Sequence, residues 1–265
     1  MHLNSSWERK MDLFSDPPFG RDFWDWLYEC DCALPSYLRI TADEEPEDEY
    51  DADPDEIDAH CRELKRTRKI TPPQEYHEFL ANIRIVGGTL GTRFALDEVS
   101  PPENITDVFC GIWRLQFVNV ELRPDSVNPL VPLFDMGGDG LYCLYLGEPA
   151  KSDRFPVVEV SHAAGCRFAV QGGGVKKFLA ATIVRRALEN SSQPYTPIEI
   201  ARRVAQIDPC ASNYYRLYKA LRDTGDADGA ETALNAARAA DYSLGHTAAC
   251  NVQEWFAHRT KLVTA

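Results

Sequence analysis

Six short apolar runs, at 92–99, 113–120, 130–134, 141–146, 156–160 and 166–170, lie between two amphipathic helical patterns. That order constrains the fold more than any other feature of the chain. Trp113, Leu115 and Phe117 alternate with Arg114 and Gln116, the period of two expected of a strand buried on one face. The run 141–146 is apolar on both faces and reads as a central strand. Gly137-Gly138-Asp139-Gly140, just before it, suits a tight turn. Upstream, Thr71-Pro72-Pro73-Gln74 supplies an N-cap and a capping-box glutamine, and Tyr76, Phe79, Leu80 and Ile83 follow at helical spacing. Downstream, Gly172-Gly173-Gly174 precedes a helix with Val175, Phe178, Leu179 and Ile183 on one face. Helices at both ends of a series of strands predict an α+β layer structure.

The flanking segments differ in character. Residues 7–40 carry eight aromatics, which at this density are expected to pack onto a core, and 22–28 reads as a short helix. Between Asp43 and Asp58 stand eleven Asp or Glu and no Lys or Arg, and a basic stretch follows at once. Residues 55–69 fit a helix with i,i+4 pairs such as Asp58 with Arg62, but a solvated, partly mobile insertion is the preferred expectation for the segment. Beyond a linker at 190–194, Thr196-Pro197-Ile198-Glu199 forms a capping box with Pro at its first helical position. Helices at 213–224 and 228–240 follow, joined by a Gly225-Asp226 turn, and a last helix is expected at 247–258. The expected division is an aromatic and acidic extension at 1–70, an α+β domain at 71–190 and a helical subdomain at 191–265.

The net charge of −13 comes almost entirely from one segment, since without its eleven acids 30 acidic residues face 28 basic ones. A general basic field for nucleic acid is therefore not expected, whereas a basic protein could meet the local acidic patch. No run reaches the roughly 18–20 apolar residues of a membrane span. The eight cysteines are scattered, and Cys110 and Cys143 sit inside apolar runs, which points to reduced thiols and a cytoplasmic location.

Catalytic and cofactor patterns are weak. The glycines at 172–174 precede Lys176-Lys177, but the spacing of a P-loop is absent, and so is that of a dinucleotide fingerprint. A strand-to-helix turn is the expectation there. Cys30-x-Cys32 is too tightly spaced for a zinc knuckle, His60-Cys61 lacks local companions, and Asp135 with Asp139 lacks the other oxygens of a calcium loop. No G-x-S-x-G elbow occurs, and adjacent Ser161 and His162 would point to opposite faces of a strand. No catalytic residue, metal or cofactor is expected.

The segment Pro72-Pro73-Gln74-Glu75-Tyr76-His77-Glu78-Phe79-Leu80, followed by Gly87-Gly88, resembles the proline-led opening helix of the SUKH superfamily. The stretch from Leu130 to Leu144, with Gly137-Gly138-Asp139-Gly140 between two apolar runs, is similar to that family's central signature. Pro156-Val157-Val158-Glu159-Val160 and the helix bearing Lys177-Phe178-Leu179 resemble its closing strand and helix. The resemblance covers residues 71–189 and implies an α+β fold with a mixed or largely antiparallel sheet flanked by helices. It also implies an immunity-type protein that binds and occludes a cognate toxin, commonly a nuclease, without catalysis. Tyr214 to Ala230 is similar to one tetratricopeptide-type helix pair.

The functional expectation is a cytoplasmic inhibitor of a basic nuclease-type toxin, with no direct nucleic-acid or membrane contact. Its expected contact residues are Glu44, Glu45, Glu47, Asp48, Glu49, Asp51, Asp53, Asp55, Glu56 and Asp58. The alternative is a regulatory or scaffold protein that binds partners through the SUKH-like domain and the helical tail.

Overall fold

A computed structural model of the 265-residue chain describes residues 15–35, 54–68, 71–82, 130–135, 140–145, 155–161, 167–240 and 249–251. The helices are α1 (Phe23–Ala33), α2 (Pro54–Arg68), α3 (Gln74–Ala81), α4 (Val175–Glu189), α5 (Pro197–Ile207), α6 (Ala211–Asp223) and α7 (Ala227–Ala239). The strands are β1 (Leu130–Asp135), β2 (Gly140–Tyr145), β3 (Val157–Ser161), β4 (Arg167–Gly172) and β5 (Ala249–Asn251). They form one sheet in the order β1-β2-β3-β4-β5, and every neighbouring pair is antiparallel. The chain is α+β.

Sequential antiparallel neighbours need only local connections, which suits four strands in direct succession. The register shifts between Pro132 and Phe134 in β1, and between Val157 and Val158 in β3. The expected strands at 92–99 and 113–120, and the Gly137 to Asp139 part of the expected turn, lie outside the described residues. So do Ile83 and Gly87-Gly88.

Two helical expectations need correction. Thr71 does not cap α3; the helix starts at Gln74 with Pro73 as its N-cap residue and no side-chain cap. A residue that precedes proline is driven out of the helical region, so Pro72 cannot begin a turn in front of Pro73. Residues 249–251 of the expected last helix are instead strand β5, with Ala249 opposite Ala169 and Asn251 opposite Arg167. Pairing with the open side of β4 satisfies backbone groups that local helical preference cannot see. The rest of that expected helix lies outside the described residues.

One hydrophobic cluster joins the helices to the sheet. The N-terminal segment contributes Phe23, Trp24, Leu27, Cys30 and Leu34, α2 contributes Ile57 and Cys61, and α3 contributes Tyr76, Phe79 and Leu80. Leu133, Leu144 and Val157 enter from the sheet, while Val204 and Ile207 enter from α5. The aromatic N-terminal segment thus packs onto the core: Phe23 meets Trp24 edge-on at 5.1 Å between ring centroids. Arg203 of α5, itself buried, ties down the start of this segment through Asp16 Oδ1 at 3.2 Å and the carbonyl oxygen of Ser15.

Helix α4 is the central element. Ten of its residues are buried, from Val175 to Leu188, and it packs against α1, α3, α5 and β4. Helix α5 begins with the reciprocal cap read from the sequence: Thr196 Oγ1 accepts from the Glu199 N–H at 3.2 Å, and Glu199 Oε2 accepts from the Thr196 N–H at 2.7 Å. Helices α6 and α7 pair around a smaller cluster of Leu221, Ala230 and Ala233, joined at Gly225, whose φ of +83° lies in the left-handed region.

Candidate functional site

Helix α2 carries the last part of the acidic run. Ile57 and Cys61, four residues apart and so on one face, are buried in the core, whereas Asp55 and Asp58 are exposed. Asp58 Oδ1 lies 3.9 Å from His77 Nδ1 of α3, a link between the two helices. Of the expected contact residues, Asp55, Glu56 and Asp58 fall on α2; Glu44, Glu45, Glu47, Asp48, Glu49, Asp51 and Asp53 lie outside the described residues.

A cleft of about 290 Å³ opens where β4 turns into α4, lined by Phe19, Glu75, Glu78, Gly173, Lys176 and Lys177 among others. Gly172 ends the strand and Val175 starts the helix, so the glycines form the expected strand-to-helix turn. Gly172 is required by close approach: a Cβ there would stand 2.6 Å from Cβ of Phe178.

The N–H groups of this turn already hold anions supplied by the chain. Glu75 Oε1 accepts from the Lys176 N–H at 2.6 Å, and Asp208 Oδ1 accepts from the Gly173 N–H at 2.9 Å. Two carboxylates therefore occupy the positions where a phosphate would sit at a helix N-terminus. Lys176 pairs with Glu78 Oε2 at 2.5 Å, with its Nζ over the Phe23 ring at 5.5 Å from the centroid. The turn is held together by internal charge.

Asp208 is fully buried, and its Oδ2 has no hydrogen-bond partner among the described residues. Burial pushes its carboxyl up to about 7, against the lowering effects of the Gly173 N–H, Lys177 and Cys210; Glu75 adds to the rise. Asn213 Nδ2 donates to the Asp208 carbonyl oxygen at 2.9 Å, which fixes the junction between α5 and α6. Sequence reasoning singled out the glycines but missed Glu75 and Asp208. For Asp208 the one local signal was the Asp-Pro step into Pro209.

Buried thiols are held in their protonated form. Burial, then neighbouring Glu29 and Asp31, raises Cys30 to about 12; burial, then Asp58, raises Cys61 to about 11; burial drives Cys210 up as well. None of these three is an activated nucleophile. Among the described residues no group of three or more His, Cys, Asp or Glu converges as a metal site, and no helix is long and apolar enough to cross a membrane.

What the arrangement offers chemically is a helix anchored on the core, with carboxylates in its first turns and bases further along, and a separate cleft whose charges neutralise one another. No protein-family model, no curated protein and no solved structure matches this chain.

Proposed function

We propose that this chain is a non-catalytic, protein-binding inhibitor of the toxin-neutralising immunity type, built on a SUKH-like domain and acting in the cytoplasm on a basic nuclease-type toxin. One observation carries the reading: α2 is anchored through Ile57 and Cys61 and presents Asp55 and Asp58 to solvent at the end of the acidic run. Carboxylates on an anchored helix lose less conformational freedom on binding than carboxylates on an unanchored chain. A strongly negative patch also steers a cationic partner and speeds encounter. Phe19 and Tyr28, the large exposed apolar side chains among the described residues, supply anchors of the kind that concentrate binding energy.

Co-expression with candidate nuclease toxin domains, scored by growth rescue and by isolation of the complex, tests this function. Rescue with a complex whose association slows when the 44–58 carboxylates are neutralised supports it. Neither rescue nor complex across a broad toxin panel refutes it.

The scaffold reading draws on the α6–α7 hairpin. Tyr215 and Tyr218 stack at 5.5 Å, with Lys219 over the first ring and Arg222 over the second. Half-buried tyrosines with cations form an amphipathic surface suited to a protein partner. Paired Tyr215→Ser and Tyr218→Ser substitutions separate the two readings, because a scaffold would lose its partner and an inhibitor would keep rescuing.

A further inference from the structure

Between the sheet and the helices lies a small pit of about 20 Å³, lined by Tyr142, Gln171, Thr182, Arg185, Asn213 and Arg216 among others. Two guanidiniums therefore border one space. Arg216 Nη1 donates to Asn213 Oδ1 and its Nη2 to Gln171 Oε1, each at 3.0 Å. Both acceptors are neutral amide oxygens. Gln171 Oε1 also accepts from Ser212 Oγ at 3.3 Å, so the network positions the Arg216 fork without neutralising it. Arg185 makes no ion pair or hydrogen bond with any described residue, and neither arginine is ion-paired among them. The groups that raise Arg216 are Cys210, Tyr142 and then Glu189, the last a carboxylate exposed on α4 four residues beyond Arg185.

Half-buried cations placed together are costly unless an anion joins them. The strain is visible on Arg216, whose guanidinium is lowered from its usual range first by burial and next by Arg185. Elsewhere the chain answers such needs internally, as Lys176 with Glu78 and Arg203 with Asp16 show. Here neither guanidinium has an ion-pair partner among the described residues.

We propose that this pit is an anion site that takes a single carboxylate group between Arg185 and Arg216. Its size sets the ligand class. A volume of this order admits about one or two water-sized atoms, which suits the two oxygens of a carboxylate better than a four-oxygen phosphate. Guanidinium forks match planar carboxylates in geometry as well as charge. Thr182 and Tyr142, both hydroxyl-bearing residues, line the same space. The carboxylate could belong to a small organic acid or to an acidic peptide, and the chemistry at the pit is the same for both.

The test follows the side-chain Nε–Hε signals of Arg185 and Arg216 by NMR in the full-length protein, with assignments from single Arg→Lys variants. Titrants are succinate, a short Glu-rich peptide and inorganic phosphate, compared at one ionic strength. Succinate or the peptide should shift both signals with saturation, and Arg185→Gln should weaken that binding by about tenfold or more, the loss of one charge-assisted contact. Saturation by succinate identifies a small-acid site, and saturation by the peptide alone identifies an acidic protein segment. Arg185→Gln is the primary variant because Arg216 also holds Asn213 and Gln171 in place, and its fold is checked by an unchanged backbone spectrum. Equal response to phosphate and carboxylate, no saturable shift, or unchanged affinity in Arg185→Gln overturns the proposal.

Discussion

Replacing Asp208 by asparagine should remove one identifiable slope from the pH dependence of stability. In the folded protein the Asp208 carboxyl titrates at about 7, while the unfolded reference is 3.8. Its folded-state value is raised, so the folded protein holds this proton more tightly. The associated stability is complete below the unfolded value and is lost as pH rises through the folded one. A rise of this size corresponds to about 4 kcal/mol in total, of which about 3 kcal/mol is lost between pH 5 and pH 8. The side-chain amide of the Asp208→Asn variant would keep the acceptor for the Gly173 N–H but has no proton to lose. Urea denaturation of both proteins at several pH values measures the effect, and taking the difference cancels the contribution of every other group. With a urea m-value of about 2–3 kcal/mol/M, the gap between the two midpoints should change by roughly 1 M across that range, in favour of the variant at high pH. Midpoints that move in parallel from pH 5 to pH 8 would refute the burial argument for Asp208.

Two other substitutions probe how the site is built. Gly172→Ala places a Cβ against Cβ of Phe178 and must push β4 away from α4; it should cost about 1–3 kcal/mol or more, read as a lowered urea midpoint. Thr196→Ala removes the side chain that accepts from the Glu199 N–H and should cost about 1 kcal/mol, with Thr196→Ser recovering most of it in the same assay.

Periodicity and capping chemistry made much of this architecture readable. Strands expected at 130–134, 141–146 and 156–160 are found at Leu130–Asp135, Gly140–Tyr145 and Val157–Ser161, because alternation and short apolar runs report burial directly. The capping box at Thr196 and the turn at Gly225 were equally legible, since each is settled within four residues. Strand β5 was not, because Ala249–Asn251 are paired by an edge distant in sequence. The same reason hid the charge pattern of the glycine turn. Glu75 and Lys176 are 101 residues apart, Asp208 and Gly173 are 35 apart, and no local spacing signals either bond. Arg185 and Arg216 each read as an ordinary polar position on its own helix; only packing sets them on one pit.

The borrowed cap on α4 has a consequence for how the chain is made. Glu75 leaves the ribosome long before Lys176, and Asp208 follows Gly173 by a further 35 residues. During synthesis the Gly173 amide at the start of the central helix therefore waits for its partner, whereas Glu75 is already present for the Lys176 amide. Closing so long a loop carries an entropic cost that local contacts cannot offset early. The docking of α4 onto the sheet should accordingly be a late event that awaits α5. A stalled chain ending before residue 208 should be more open to protease at the 172–176 turn than the finished protein.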